Sequence, residues 1–214
     1  MIKVIIFDLD DTLCNTSSTL NDSMQEIFRA MIDAGLPARI KDIDLSDNPH
    51  AFIPEFASRL AKKYGAGKEA VSAGMEAYYN YVGNPELFPE VNDMLQELGK
   101  YKLILLTTGR PDAQKKKVEL LGIKNHFQDI IFDDIANSDK GKKMRDILDK
   151  YSLKPEEVVV VGDKIFSEIE AANRLGIISV RCMRGRFKDA EPANKQQLPD
   201  YKIDNLMELR DILK

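Results

Sequence analysis

The sequence predicts an α/β protein built on a doubly wound parallel sheet, and three observations support this fold class. The first is a set of short apolar runs rich in β-branched residues, which is typical of strands buried on both faces. The second is that segments with helical periodicity separate the later runs, so that strands and helices alternate. The third is that these helical segments end at glycine or are followed by proline, the usual signals for the end of a helix.

The individual elements follow from these patterns. Strands are predicted at residues 4–7, 103–106, 130–132, 158–161 and 177–180, with a weaker candidate at 201–203. Helices are predicted at residues 112–121, 142–151 and 166–175, and again at 205–213. The alternation indicates a Rossmann-like, doubly wound parallel sheet core.

The stretch between the first and second strands breaks the alternation. Apolar residues recur at helical spacing from Leu20 to Ile32 and stop before Gly35 and Pro37. Two further helical stretches follow at residues 51–64 and 68–82, and no strand pattern accompanies them. The sequence therefore predicts a core domain formed by residues 1–14 and 88–214, with a small all-helical domain inserted at residues 15–87.

Composition and charge narrow the classes of function. The 214 residues, 43% of them hydrophobic and 31% charged, suffice for a folded core with a modest insertion. A net charge of −4 gives no broad basic surface for nucleic acid. No apolar run approaches the roughly 20 residues that cross a bilayer, and the first residues lack a signal-peptide pattern. Cys14 and Cys182 form no metal or disulfide motif. We therefore expect a cytoplasmic monomer or homodimer without nucleic-acid or membrane partners.

Three carboxylates directly follow the first predicted strand. Asp8, Asp10 and Asp11 lie at the edge where open parallel sheets bind their ligands. If the extended geometry continues, Asp8 and Asp10 project to the same side. A divalent cation would relieve their repulsion and the cost of burying them, and Mg²⁺ prefers such oxygen ligands. Asp11 is more typical of a residue that ends a strand and caps a turn.

Two later segments place suitable groups at the same edge. Thr107, Thr108 and Gly109 end the second long strand, and hydroxyl and backbone N–H groups before a helix can bind phosphate. The same composition is also typical of an ordinary turn. Asp163 follows the strand at 158–161, where a further metal-binding carboxylate is expected, and Glu168 lies shortly after it.

Lysines near this edge could balance the charge of a phosphate. Lys140 precedes the helix that leads into the strand at 158–161, so it can reach the site. Lys142 and Lys143 are alternatives, and each of the three is also explained as a surface lysine. The run at residues 115–117 favours a solvated helix face, with phosphate steering as the less favoured interpretation.

In this order the segments resemble the motifs of the haloacid dehalogenase-like superfamily of hydrolases. Phe7-Asp8-Leu9-Asp10-Asp11-Thr12-Leu13 is similar to the first motif, and Thr107 to the hydroxyl of the second. Lys140 is similar to the lysine of the third motif, and Gly162-Asp163 with Glu168 to the fourth. Two departures stand out: no Lys-Pro pair accompanies the third motif, and Glu168 replaces the more usual aspartate. Because the side chain of Glu168 is longer, we rank its direct contact with the metal below that of Asp163.

The resemblance implies a phosphatase with a small helical cap inserted after the first motif. Asp8 would attack phosphorus and form an aspartyl-phosphate. Asp10 would protonate the leaving alkoxide and then activate water. A cap that excludes water implies a small phosphorylated metabolite as the substrate.

The resemblance also implies the binding residues. The ligands of one Mg²⁺ would be Asp8, the backbone carbonyl of Asp10, Asp163 and Glu168. The groups that hold the transferring phosphoryl group would be Thr107, Thr108, Gly109 and Lys140. Candidate cap residues for the substrate are Arg39, Lys41, His50, Arg59 and residues 78–81, each also explained as a surface or cap-core residue.

Other functions remain as alternatives. A phosphomutase would share the scaffold and differ in what accepts the phosphoryl group. A dehalogenase is disfavoured, because a departing halide needs no proton and such an enzyme would not require an acid at position 10. A phosphorylated receiver domain would be shorter and lack the helical insertion. A non-catalytic binding module is disfavoured, because every expected catalytic residue type has a candidate.

Overall fold

The structure is a computed structural model that describes residues 1–40 and 53–213. Its strands are β1 (Val4–Phe7), β2 (Lys102–Gly109), β3 (Asp129–Asp134), β4 (Val158–Gly162), β5 (Ile178–Cys182) and β6 (Tyr201–Ile203). The described α-helices are α1 (Leu20–Asp33), α2 (Ile53–Tyr64), α3 (Lys68–Asn80), α4 (Val91–Glu97), α5 (Pro111–Leu120), α6 (Lys140–Lys150), α7 (Glu170–Leu175) and α8 (Leu209–Ile212). No helix in these ranges is long and apolar enough to cross a membrane.

The six strands form one parallel sheet in the order β3-β2-β1-β4-β5-β6. The chain winds outward from β1 through β2 to β3, and then from β4 through β5 to β6 on the other side. The order therefore reverses between β1 and β4, where doubly wound sheets bind ligands beyond the carboxyl ends of the strands. This arrangement confirms the predicted fold class.

Apolar side chains cover both faces of the sheet, as the continuously apolar strands require. In β1, Ile5 and Phe7 pack into one cluster with α4 and α8, whereas Val4 and Ile6 pack into another with α6 and α7. All four side chains are fully or almost fully buried. Successive strand residues point to opposite faces, so one short strand supplies both layers of the core.

Several elements differ from the sequence prediction. Helix α4 was not predicted, although Val91, Met94 and Leu95 have helical spacing and are buried. Helix α6 begins at Lys140 rather than at residue 142, because the side chain of Asp139 accepts a hydrogen bond from the backbone N–H of Lys142. The helix predicted at residues 166–175 begins as a π-helical turn from Ile165 to Ile169 and continues as α7.

The chain divides into two compact units, Met1–Ser17 with Pro85–Lys214, and Ser18–Asn84. In the first unit the two connecting segments are paired, since Asn15 N–H donates to Glu86 O at 2.9 Å and Phe88 N–H to Leu13 O at 3.0 Å. The chain therefore leaves and re-enters the sheet-containing unit at the same place.

The second unit has a helical core of its own. Ile27, Phe28 and Met31 of α1 are buried, and Phe28 meets Phe56 of α2 with ring centroids 5.8 Å apart. Gly74 of α3 lies against α1 so closely that an added Cβ would be 2.7 Å from Met31 Cγ. Helices α1 and α3 therefore pack closely because Gly74 has no side chain.

The loop after β5 packs against the turn after β1. The buried Arg181 of β5 anchors this loop by donating hydrogen bonds to the carbonyls of Phe187, Lys188 and Ala190. Asp11 has a positive φ of 57°, in the turn that the sequence favoured for it. Gly185 has a φ of 71°, and a Cβ added there would lie 2.3 Å from Asp11 Cβ.

Gly185→Ala should therefore destabilise the protein more than Gly122→Ala. Both glycines have left-handed backbones, which cost an alanine about 1–2 kcal/mol. Only Gly185 lacks room for a Cβ, whereas Gly122 has no atom within 4 Å of one. We expect a further loss of about 1–3 kcal/mol in the free energy of unfolding for Gly185→Ala, measured by urea denaturation. Equal losses in the two variants would contradict this packing.

Candidate active site

Three buried carboxylates converge where the strand order reverses. Asp8 follows β1 and Asp163 follows β4, and the two strand ends are joined because Asp8 N–H donates to Val161 O at 2.9 Å. Glu168 comes from the π-helical turn just after β4. One carboxylate oxygen from each of the three lies within 4.8 Å of the others, and all three side chains are almost fully buried.

Of the three candidate lysines Lys140, Lys142 and Lys143, Lys140 is the one that the fold brings to this group. Its Nζ lies 2.6 Å from Asp8 Oδ1, and it also donates to Glu168 Oε1. Its position at the start of α6 directs it to the sheet edge, whereas Lys142 is exposed and Lys143 half-buried. Burial lowers the pKa of Lys140, but the carboxylates of Asp8 and Glu168 together raise it by more than burial lowers it. The net shift is therefore upward.

Four oxygens of these carboxylates have no hydrogen-bond partner within the described parts of the chain. They are Asp8 Oδ2, Asp163 Oδ1, Asp163 Oδ2 and Glu168 Oε2. Burial raises the pKa of Asp163 well above its usual range, and it also raises the pKa of Asp8 against the opposing charge of Lys140. Buried polar atoms normally have hydrogen-bond partners, so a group of three close carboxylates with four oxygens that lack one fits a bound divalent cation.

Lys164 is a second cation at this group, and it was not predicted from the sequence. Its Nζ lies 3.6 Å from Asp163 Oδ1 and 3.9 Å from Asp8 Oδ2. Burial lowers the pKa of Lys164, but Asp163 and Asp8 raise it well above its usual range. The position of Lys164 directly after Asp163 in the sequence could have identified it as a residue of this site. When all three carboxylates are ionised, the two lysines leave the group with one net negative charge, which a bound cation would offset.

Glu168 reaches the group through an unusual backbone. The π-helical turn from Ile165 to Ile169 is wider than an α-helical turn, and such turns are frequent at functional sites. A Cβ added to Gly162 would lie 2.8 Å from Glu168 Cγ, so glycine at this position makes room for the glutamate. Burial raises the pKa of Glu168, but Lys140 and Lys164 lower it below its usual range.

Asp10 has different partners from Asp8. Its Oδ1 accepts hydrogen bonds from Lys117 Nζ and Thr16 Oγ1, both at 2.6 Å, and its Oδ2 accepts one from Gln114 Nε2 at 2.8 Å. Burial raises the pKa of Asp10, but Lys117, Thr16 and Gln114 together lower it more, so the net shift is strongly downward. Of the four residues predicted to bind metal, Asp10 is the one whose carboxylate lies outside the three-carboxylate group. The predicted metal contact of Asp10 is its backbone carbonyl, and not this carboxylate.

The expectation that residues 115–117 form a solvated helix face is wrong for Lys117. Lys115 and Lys116 are exposed, but the side chain of Lys117 is buried and paired with Asp10. Gln114 and Lys117 are three residues apart and so share one face of α5. That face is directed toward the carboxyl end of β1, which helical periodicity in the sequence does not reveal.

The predicted phosphate-binding residues point in different directions. Thr107 is fully buried, and its hydroxyl accepts a hydrogen bond from Gln114 Nε2 at 3.0 Å. Thr108 Oγ1 instead donates to Asp133 Oδ2 at 3.3 Å. Adjacent strand residues alternate between faces, which separates these hydroxyls. At Gly109, an added Cβ would lie 2.7 Å from Gln114 Cγ.

The predicted substrate-contacting residues of the insertion are only partly described. Lys41 and His50 lie outside the described residues. Arg39 and Arg59 are exposed. Residues 78–81 end α3 and begin the segment that follows it, with the rings of Tyr78 and Tyr79 5.4 Å apart. Burial raises the pKa of Tyr81, and the nearby Asp22 and Glu26 add to this shift.

The family model for haloacid dehalogenase-like hydrolases matches residues 2–176. The chain belongs to the haloacid dehalogenase-like hydrolase family. A glyceraldehyde 3-phosphate phosphatase of Methanopyrus kandleri is 32% identical over 230 residues, covering 100% of this chain and 98% of that protein. The enzyme of the same name from Methanocaldococcus jannaschii is 33% identical, with 100% and 98% coverage.

A solved structure extends this likeness to three dimensions. A haloacid dehalogenase-like hydrolase from Streptococcus pneumoniae aligns with a TM-score of 0.76 and 25% identity, covering 100% of this chain and 99% of that chain. The comparison therefore spans both the parallel sheet and the inserted helices of this family member.

Asp163→Asn should stabilise the protein in EDTA and remove most of its stabilisation by Mg²⁺. Between the ordinary aspartate pKa and the raised pKa of Asp163, the folded state in EDTA retains a proton that the unfolded state has lost. Stability therefore falls as pH rises from the ordinary aspartate pKa to the raised one. At neutral pH in EDTA, Asp163→Asn should be more stable than wild type. Adding Mg²⁺ at about 100 times its Kd should stabilise wild type by about 2.7 kcal/mol and the variant far less.

Thermal unfolding with EDTA or Mg²⁺ measures both effects. Asp149→Asn, at an exposed position of α6, is the matched control and should respond to Mg²⁺ as wild type does. An equal Mg²⁺ response in Asp163→Asn and wild type would exclude Asp163 from the cation site.

Proposed function

We propose that this family member is a magnesium-dependent phosphatase that hydrolyses a small phosphate monoester through an aspartyl-phosphate on Asp8. The observation that carries the proposal is the placement of Asp8 beside Lys140, in a buried group with Asp163 and Glu168 that has unpaired oxygens. A nucleophilic carboxylate, a neighbouring cation and oxygen ligands for a metal are the parts that phosphoryl transfer needs.

The cation site is proposed to hold one Mg²⁺. Asp8, Asp163 and Glu168 would provide carboxylate oxygens, and Asp10 its backbone carbonyl. When bound, Mg²⁺ supplies positive charge that offsets the repulsion between the nucleophile and the phosphate. Glu168 shares its carboxylate with Lys140, and its Oε2 is the oxygen left for the cation.

Asp8 acts as the nucleophile in the proposed mechanism. A bond forms between an Asp8 carboxylate oxygen and phosphorus, while the bond from phosphorus to the leaving oxygen breaks. Asp10 gives a proton to that oxygen and so releases an alcohol. Water then attacks phosphorus, Asp10 takes its proton, and the bond from phosphorus to Asp8 breaks to yield inorganic phosphate.

Further residues hold the transferring phosphoryl group. Lys140 already contacts Asp8 at 2.6 Å, so its charge can stabilise the phosphoryl oxygens during transfer. The hydroxyl of Thr107 and backbone N–H groups at Thr108 and Gly109 are proposed as further donors. The hydroxyl of Thr108 is not needed for this role, since it already bonds to Asp133.

Glyceraldehyde 3-phosphate is the substrate that we propose first. The full-length similarity to two phosphatases named for this substrate supports the choice. It is a small alkyl phosphate, which fits a site with a proton donor for an alkoxide leaving group. We further propose that residues 15–87 form the cap that selects the leaving group.

Asp8→Asn should abolish turnover. An amide cannot serve as the nucleophile, so we expect the hydrolysis of p-nitrophenyl phosphate in Mg²⁺ to fall by about a thousandfold or more. EDTA should abolish wild-type turnover, and excess Mg²⁺ should restore it. A variant that retains activity would refute the proposed nucleophile.

A variant of Lys140 and a control variant on the same helix test the role of this lysine in the same assay. Lys140→Met should reduce kcat by about a hundredfold or more, because the charge beside Asp8 is lost. Lys142→Met removes an exposed lysine from the same helix and should leave kcat unchanged.

A substrate panel tests the leaving group. It consists of glyceraldehyde 3-phosphate, phosphoglycolate, sugar phosphates and nucleoside monophosphates, each measured as phosphate released in Mg²⁺. We expect kcat/KM to be highest for glyceraldehyde 3-phosphate. A preference for a sugar phosphate or a nucleotide would retain the mechanism and refute the substrate.

A further inference from the structure

The carboxylate of Asp10 is held by two side chains that lie outside the four sequence motifs. Lys117 Nζ donates to Asp10 Oδ1 at 2.6 Å, and Gln114 Nε2 donates to Asp10 Oδ2 at 2.8 Å. Both come from helix α5. Gln114 is 4% exposed and Lys117 8%, so both polar side chains are buried beside the half-buried carboxylate of Asp10.

Burial distinguishes these contacts from an incidental ion pair on the surface. Lysine almost never lies buried unless it is paired, and ion pairs on the surface contribute little to stability. The chain also makes room for this arrangement, because a side chain at Gly109 would collide with Gln114. Gln114 Nε2 further contacts Thr107 Oγ1 and Thr108 O, both at 3.0 Å, and so connects the first and second motifs.

The two donors bind different oxygens of the same carboxylate. This arrangement fixes the rotation of the carboxylate about the Cβ–Cγ bond of Asp10. Thr16 adds a third donor, to Oδ1, from the segment that follows the first motif. The direction in which Asp10 can give or take a proton is therefore set by α5, and not by the first motif alone.

We propose that Lys117 and Gln114 are positioning residues that aim Asp10 at the leaving-group oxygen and then at the attacking water. The proposal rests on the proposed phosphatase function, in which Asp10 moves both protons. Small errors in placing a reacting group cost up to about a hundredfold in rate. Removing either donor should thus weaken proton transfer while leaving Asp8 and the cation site in place.

The leaving group separates this role from a merely structural one. An alkoxide departing from glyceraldehyde 3-phosphate requires a proton, whereas p-nitrophenolate departs readily without one. A loss of orientation at Asp10 should therefore reduce kcat/KM for the alkyl ester much more than for the aryl ester. A general loss of folded or active enzyme should reduce both equally.

The experiment compares Lys117→Met and Gln114→Met with wild type on both esters in Mg²⁺. For the alkyl ester we expect kcat/KM to fall by about 10- to 100-fold, and for p-nitrophenyl phosphate by less than about threefold. Asp10→Asn serves as the reference and should show the same selectivity with a larger loss, about 100- to 10,000-fold on the alkyl ester.

The second proton transfer gives an independent signature. With p-nitrophenyl phosphate, the first step no longer needs Asp10, but release of phosphate from Asp8 still does. Stopped-flow measurements on both methionine variants should show a burst of about one p-nitrophenolate per active site, followed by slow turnover. The burst should be absent or smaller in wild type.

Matched variants control for charge and folding. Lys116→Met removes an exposed lysine from the same helix and should behave as wild type on both esters. Lys117→Arg keeps a donor and a positive charge, so it should recover much of the activity on the alkyl ester. If Lys117→Met does not fold, Gln114→Met carries the same test.

The outcomes separate this inference from the proposed function. If wild type hydrolyses neither ester in Mg²⁺, the phosphatase proposal fails. If wild type is active but the variants lose both esters equally and show no burst, the positioning role is refuted. A selective loss of the alkyl ester together with a burst supports it.

Discussion

Electrostatic repulsion among buried carboxylates is the constraint around which this sheet edge is organised. Asp8 and Asp163 follow adjacent parallel strands, so the topology forces them together, and Glu168 joins them from the next turn. Burial disfavours the ionised forms of Asp8 and Asp163, and Lys140 and Lys164 offset only part of that cost. The oxygens that lack a hydrogen-bond partner are the proposed ligands of a cation. The cost of burying these carboxylates and their proposed chemistry thus have the same physical origin.

Asp8 and Asp10 show how environment separates two carboxylates that are two residues apart. Asp8 faces Lys140 and the other acids, whereas Asp10 faces Lys117, Gln114 and Thr16. Burial raises the pKa of Asp8, while the donors around Asp10 lower its pKa. Acids with such different surroundings are suited to different roles, one as a nucleophile and one in proton transfer. The lowered pKa of Asp10 describes its pairing with Lys117, and substrate binding must change that balance for Asp10 to donate a proton.

Local backbone features support both groups. The π-helical turn after β4 gives Glu168 its reach, and Gly162 leaves space for its side chain. Gly109 does the same for Gln114, and Gly185 lets the loop after β5 approach Asp11. Each glycine permits a close approach that any side chain would obstruct. The site therefore depends on glycines that leave space as well as on its charged side chains.

The sequence by itself determined the parallel sheet, because β-branched runs separated by capped helical segments have few other solutions. It also predicted that Asp8 and Asp163 would meet, since the carboxyl ends of parallel strands share one edge. It could not distinguish Lys117 from Lys115 and Lys116, because periodicity identifies the residues that share a helix face but not what that face contacts. Lys164, Gln114 and the different orientations of Thr107 and Thr108 likewise depend on contacts between segments far apart in the chain. Only the tertiary structure decided these, because burial and hydrogen-bond partners are properties of packed elements and not of any one segment.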